Sequence, residues 1–181
     1  MSNSVLLTKY HTLENKRQQL FADLAKKTIE ELKYKQTPNM WSILQATHHV
    51  MNAEKLAVEY MGKKIKGINT SPKTGLKTNI RFFLLQISLK SSLKFKAPKF
   101  LPDPPLNETL ENIMSQWNIS RNALREILEN FPQEHENKEV FKNLVAGKLN
   151  IHQALGWMDD HFSHHLLQIE RISASYKYNK K

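Results

Sequence analysis

Apolar side chains recur every three or four residues over most of the chain, which is the spacing of amphipathic α-helices. Runs of β-branched residues are rare, and glycine is scarce. The spacing predicts four main helices, at about Asn3 to Leu32, Trp41 to Met61, Glu108 to Asn130 and Asn150 to Ser173. We therefore predict an all-α helical bundle in which residues 1–181 form a single domain.

Local signals place several of the helix ends. Ser42 and Gln45 have the spacing of a capping box, and Asn150 is suited to be the N-cap of the fourth helix. Gly62 is expected to stop the second helix, and Pro132 is expected to end the third.

A long crossover is predicted from Gly62 to Asn107, between the second and third helices. Its apolar piece, Ile80 to Leu93, is expected to form a short extra helix that packs on the bundle. Four prolines then predict an extended strap: Pro98, Pro102, Pro104 and Pro105. A further short element is expected at Val140 to Val145, before Gly147.

Two histidines of the fourth helix lie on its inward face. The core seam alternates steps of three and four residues through Ala154, Met158, His161, His165, Gln168 and Ile172. His161 and His165 are four residues apart, so both imidazoles project from one face, one turn apart. His164 falls nearer Asp160 and Arg171, toward solvent.

The second helix supplies a third inward histidine. His49 shares a face with Ala46, Ala53, Leu56 and Tyr60, whereas His48 shares its phase with polar residues: Asn52, Lys55 and Glu59. Burying a polar group without a partner costs about 1–3 kcal/mol, and a divalent ion that accepts three lone pairs removes that cost. We predict a metal site formed by His49, His161 and His165; the alternative is three ordinary histidines bonded to carbonyls or carboxylates.

Composition limits the chemistry of such a site. The chain has no cysteine, so a metal site must use nitrogen and oxygen ligands, and disulfides are excluded. No apolar run of about 18 residues is present to span a membrane, and Met1 to Leu7 lacks the features of a secretory signal. We therefore expect a cytoplasmic protein.

The net charge of +10 comes from one part of the chain. Residues 63–99 contain ten basic side chains and no Asp or Glu, and elsewhere the basic residues equal the acidic ones in number. Such a block can attract nucleic acid, anionic lipid or an anionic small molecule. Because it is mostly lysine and lacks a nucleic-acid motif, we interpret it as a solvated connection and do not expect nucleic acid as the partner.

Two histidine motifs resemble those of the DinB/YfiT-like superfamily: Trp41-Ser42 followed by His49, and His161-Phe-Ser-His164-His165. The strap Phe95-Lys-Ala-Pro-Lys99 is also similar. The resemblance implies a four-helix bundle with up-down-down-up connectivity, frequent homodimers and a zinc or nickel ion held by three histidines. Those ligands fall on His49, His161 and His165. It also implies either transfer of a low-molecular-weight thiol to a small-molecule electrophile or metal-dependent hydrolysis.

The residues leave three functions open. A three-histidine site has a free position for a thiol or for water, which favours a metal-dependent transferase. Hydrolysis is second, because Phe162 stands where HExxH would place its glutamate, and Asp159 and Asp160 are expected on a solvated face. A non-enzymatic metal-binding or stress-response module is third.

The remaining aromatic and histidine residues are expected to lie outside the site, with the alternative that Tyr60 lies near the metal and donates a hydrogen bond. We interpret Trp41, Trp117 and Trp157 as packing residues, and Tyr60 as a core tyrosine. His11, His135 and His152 are expected to be incidental.

Overall fold

The computed structural model describes residues 4–91 and 103–180. Its helices are α1 Ser4–Leu24, α2 Ile29–Lys33, α3 Ile43–Ile65, α4 Leu76–Lys90, α5 Leu110–Glu129 and α6 Ile151–Asn179. Two short strands, β1 Phe141–Asn143 and β2 Gly147–Leu149, form an antiparallel hairpin. The all-α prediction is confirmed, with α1, α3, α5 and α6 as the long helices of the bundle.

The direction of each long helix follows from two clusters of buried apolar side chains. One cluster contains side chains from the first halves of α1 and α6 and from the second halves of α3 and α5. The other cluster contains side chains from the opposite half of each helix. Hence α1 and α6 run one way, and α3 and α5 run the other way. Both α1 and α3 pack on α5 and α6. The up-down-down-up connectivity is confirmed.

The predicted first helix is divided in the structure. α1 ends at Leu24, and α2 starts separately at Ile29, where the Thr28 side chain accepts a hydrogen bond from the Glu31 backbone N–H. A threonine cap of this kind competes with continued helix, and the helical spacing of Leu20, Leu24 and Leu32 hides the break. The predicted start at Asn3 lies outside the described residues.

The capping predictions are confirmed, but the predicted stop at Gly62 is wrong. Ser42 and Asn150 each form a complete capping box, with Gln45 and Gln153 as the respective partners. α3 continues through Gly62 to Ile65. A mid-helix glycine costs only about 1 kcal/mol relative to alanine, and packing can override that cost. α6 likewise extends beyond the predicted Ser173 to Asn179.

The crossover contains the expected extra helix, four residues earlier than predicted at its start. α4 begins at Leu76 after an N-cap at Gly75, and it packs on α6 and on the hairpin. Leu85 and Leu89 bury against Ala146 and Leu149. Residues 92–102, which include Leu93, Phe95–Lys99 and two of the strap prolines, lie outside the described residues.

The hairpin replaces the unspecified element predicted near Val140. Phe141 pairs with Leu149 and Asn143 pairs with Gly147, whose φ of 90° is a turn conformation that glycine adopts readily. Asn143 Oδ1 accepts hydrogen bonds from the backbone N–H groups of Val145 and Ala146. Within the described ranges, no helix has both the length and the hydropathy that crossing a bilayer requires.

Candidate metal centre

α6 carries two imidazoles of the candidate site. His161 and His165 project from adjacent turns, and their ring centroids are 4.7 Å apart. His165 is buried, with 8 % of its surface exposed, and His161 is partly buried. The seam that carries them buries Ala154, Met158 and Ile172, so the phase predicted for this helix is confirmed.

α3 brings His49 to the same place. Its ring centroid lies 4.8 Å from that of His165 and 5.4 Å from that of His161. One ligand atom from each of the three histidines can be chosen so that all lie within 4.8 Å of one another. Donor atoms this close can converge on one ion whose metal–nitrogen bonds are about 2.0–2.1 Å long. We call His49, His161 and His165 the histidine cluster.

The protein environment keeps these imidazoles neutral. Burial lowers the pKa of His49 to about 4 and that of His165 to about 3. Burial also holds the pKa of His161 well below its usual range, and the other histidines of the cluster lower it further by like-charge repulsion. A neutral imidazole is the form that donates a lone pair to a metal, so the cluster is ready to bind at neutral pH.

Hydrogen bonding orients one of the rings. Nδ1 of His165 lies 2.7 Å from Oε1 of Gln168, and because that oxygen can only accept, Nδ1 carries the proton. The lone pair of His165 therefore resides on Nε2, free for a ligand. Nδ1 of His161 is buried and has no hydrogen-bond partner among the described residues. An imidazole nitrogen left unpaired in a site of three imidazoles fits a divalent cation.

Two tryptophans line the cluster. The Trp41 ring centroid lies 4.8 Å from that of His49, and the Trp157 ring stacks on His161 at 5.2 Å. The prediction that both are only packing residues is therefore incomplete. A signal was present in the sequence, because Trp157 precedes His161 by four residues and so lies one turn away on the same face. Trp117 is a packing residue as predicted, fully buried in the core.

The neighbouring histidines lie outside the cluster, as predicted, but neither faces open solvent. Nε2 of His48 lies 3.5 Å from Oε2 of Glu108, and Nδ1 of His164 lies 2.9 Å from the Leu89 carbonyl oxygen. Asp160 is also buried, contrary to prediction, because α4 covers that side of α6 and Gln86 donates a hydrogen bond to its carboxylate.

The remaining polar residues singled out in the sequence have other contacts. His135 bonds Asn69 and His152 bonds Glu136, which agrees with an incidental role for both. The carboxylate of Asp159 bonds the Lys16 ammonium.

The inward face predicted for α3 is partly wrong. Ala46 is fully buried, but Leu56 is 44 % exposed and Tyr60 is 39 % exposed, with its ring edge-on to Phe141. The buried face passes instead through Val50 and Ala57. His49 thus lies at the margin of the core, between a buried and an exposed face.

Comparison with known proteins identifies the family. Curated proteins give no match to this chain, and solved structures give none either. A family profile described as the DinB superfamily matches residues 12–169, a range that includes all three histidines of the cluster. This match spans most of the chain, and it agrees with the up-down-down-up bundle and with the position of the histidines on α3 and α6. The chain belongs to the DinB superfamily.

Proposed function

We propose that the protein is a metal-dependent enzyme in which His49, His161 and His165 bind one divalent ion, zinc or nickel. The observation that carries this proposal is the convergence of three neutral imidazoles from two helices, with their ligand atoms within 4.8 Å of one another. Nitrogen donors suit zinc and nickel, and the chain has no thiolate to offer.

The proposed reaction is transfer of a low-molecular-weight thiol to an electrophilic small molecule. His49, His161 and His165 would hold the ion, and its positive charge would lower the pKa of an added thiol. In the proposed transfer the thiol sulfur would form a bond to the electrophilic carbon, and the leaving group would depart with its electron pair. The thiol proton would pass to solvent.

The chain's own residues prepare this chemistry. Burial keeps the three rings unprotonated, and Gln168 fixes the tautomer of His165. Trp41 and Trp157 form apolar walls beside His49 and His161, which would exclude water from one side of the site and offer surface to an apolar substrate. His49 is only half-buried, which would leave a route for substrate on its exposed side.

Carboxylate positions favour thiol transfer over hydrolysis. Hydrolysis at a metal-activated water commonly uses a carboxylate as general base. In the described part of the chain, the only group of side chains placed to hold a metal ion consists of three histidines and includes no carboxylate. Asp160, which precedes His161 in sequence, accepts from Gln86, and Glu108, which faces His48, accepts from Asn112. Hydrolysis is therefore the second candidate, and a metal-binding module without catalysis is the third.

Turnover tests the proposal. A chromogenic aryl halide is mixed with each of several small thiols and with protein that is either metal-loaded or chelated. We expect thiol-dependent release of halide only from the metal-loaded protein and its loss in His165→Ala, with His164→Ala as the matched control that retains activity. Equal rates in loaded and chelated samples would contradict enzymatic metal dependence. Ester cleavage without thiol would favour hydrolysis.

A further inference from the structure

α4 exposes a continuous apolar stripe. Five large apolar side chains are 52 to 75 % exposed, and their spacing places them on one face of the helix: Leu76, Ile80, Phe83, Leu84 and Ile87. We call these residues the α4 stripe. The opposite face of the same helix buries Leu85 and Leu89 against the hairpin. α4 is thus apolar on two sides, and only one of them is used inside the protein.

The exposed stripe is held outward by firm docking of the other face. Phe82 packs so closely on Gly156 of α6 that a Cβ there would lie 3.2 Å from its ring. Gln86 donates to the Asp160 carboxylate at 2.7 Å, and the Leu89 carbonyl lies 2.9 Å from His164 Nδ1. Rotating α4 to bury the stripe would break these contacts. The stripe is therefore a fixed surface feature of the protein.

Basic side chains border the stripe. Lys77 and Arg81 are exposed along one edge, and Lys73 is exposed just before the helix. Lys90 lies at the end of α4, where it is 3.6 Å from Asp160. Residues 63–99 contain no acidic side chain, so the surrounding segment has no carboxylate to offset this charge. An apolar stripe with basic edges is the pattern of a helix that lies in the interface of an anionic bilayer.

We propose that α4 binds the surface of an anionic membrane, with the α4 stripe inserted among the lipid acyl chains and Lys77 and Arg81 at the phosphate groups. The stripe covers about three helical turns, roughly 16 Å, which is long enough to lie in the plane of the interface. Charge complementarity favours this occupant over a second copy of the chain. Two-fold pairing through α4 would place two surfaces with the same excess of positive charge, from Lys77 and Arg81, against each other.

Vesicle partitioning tests the proposal with the full chain. Binding to phosphatidylcholine vesicles that contain phosphatidylglycerol is expected at low salt, with much weaker binding to phosphatidylcholine alone and a steep loss at high salt. Phe83→Glu is expected to reduce the partition coefficient at least tenfold. Ile119→Glu is the matched control, because Ile119 is 69 % exposed, against 61 % for Phe83, and lies on α5. It should bind as the unaltered protein does.

A second pair of variants tests the charge. Lys77→Gln with Arg81→Gln is expected to lower the partition coefficient about 30-fold, since each basic residue near the surface contributes a factor of about five. Lys26→Gln with Lys33→Gln removes the same charge from the region of α1 and α2 and should leave binding unchanged. Thermal melting confirms that each variant is folded.

Any of three results would overturn the proposal. The first is an absence of binding to anionic vesicles at low salt. The second is equal binding by Phe83→Glu and Ile119→Glu. The third is a homodimer of the unaltered protein that Phe83→Glu dissociates, with no vesicle binding, which would assign the stripe to a partner copy instead.

Discussion

Two buried polar clusters in the same bundle differ in what completes them. In the first, which we call the polar core cluster, Glu54 accepts hydrogen bonds from Trp117 Nε1 at 2.7 Å and from Arg121 Nη2 at 2.8 Å. Donors meet an acceptor here, and opposite charges meet between α3 and α5, while Nε and Nη1 of Arg121 have no hydrogen-bond partner among the described residues. In the histidine cluster, three neutral rings of one kind face one another, and only His165 has an internal hydrogen-bond partner, Gln168, among the described residues.

This difference separates a structural site from a ligand site. The polar core cluster joins α3 to α5 through a pair whose residues are 1 to 2 % exposed, so its members depend on each other for stability. The histidine cluster gathers lone pairs that cannot satisfy one another. Each of its imidazoles can donate a lone pair to a bound ligand, and a divalent cation can accept all three lone pairs.

The largest expected effect is on the polar core cluster. Glu54→Gln leaves the Arg121 charge buried without its carboxylate, and we expect a loss of about 3–5 kcal/mol in the free energy of unfolding. Urea denaturation of the metal-free protein measures it. Metal bound per folded chain should not change.

A paired substitution is the control for that variant. Glu54→Gln combined with Arg121→Met removes both charges and should recover part of the loss, because no unpaired charge remains buried. If the losses in the free energy of unfolding of Glu54→Gln and Arg121→Met simply add in the double variant, the two residues do not stabilise the fold as an ion pair.

The next effect is on metal affinity, with little change in the stability of the metal-free protein. His165→Ala or His49→Ala is expected to weaken metal binding, as measured by competition with a chromogenic chelator. The loss should exceed the 10–100-fold that is typical when a residue that hydrogen-bonds to a metal ligand is removed. His164→Ala and His48→Ala should bind as the unaltered protein does. Loss of metal in the control variants, or its retention in the first pair, would refute the ligand assignment.

A smaller effect is expected at Gln168. Gln168→Leu removes the acceptor that orients His165 but keeps all three imidazoles, so affinity should fall by about 10–100-fold while the binding stoichiometry at saturation is unchanged. Calorimetric titration measures both quantities. Gln19→Leu, an exposed substitution of the same type on α1, should have no effect. Equal affinities in the two variants would remove Gln168 from the account.

The smallest effect is a dependence of stability on pH. The pKa of His165 is lowered from 6.5 to about 3, so below about pH 6.5 the unfolded chain takes up a proton that the folded chain does not. The free energy of unfolding of the metal-free protein therefore does not depend on this group above that pH, and it decreases as the pH is lowered below it. His165→Ala should reduce the slope by up to about 1.4 kcal/mol per pH unit. An unchanged slope would show that His165 is protonated in the folded state.

Side-chain periodicity was enough to predict the bundle and to select three histidines that the structure places close together. His161 and His165 are held by a long seam of one helix, and their phase needed no tertiary information. On α3 the same method selected His49, which lies beside the other two, over His48, but it misplaced Leu56 and Tyr60. Residues that flank the core face of a helix are buried only if a neighbouring element covers them, and a helical wheel of one helix does not show which neighbours are present.

Features that depend on contacts between distant segments could not be predicted. The burial of Asp160 follows from the docking of α4 on α6, and the break between α1 and α2 follows from a local cap that competes with a helical pattern. The exposed stripe of α4 was also not predicted, because the apolar piece was expected to pack on the bundle. The Glu54–Arg121 pair joins residues 67 positions apart, each ordinary in its own helix.

The account depends most on convergence of three imidazoles on one cation, and anomalous diffraction from crystals of zinc-reconstituted protein tests this directly. We predict a single strong peak at the zinc edge, with one nitrogen of His49, His161 and His165 each about 2.0–2.1 Å from it. A peak bound to other residues, or contacts with only one of these three rings, would contradict the account.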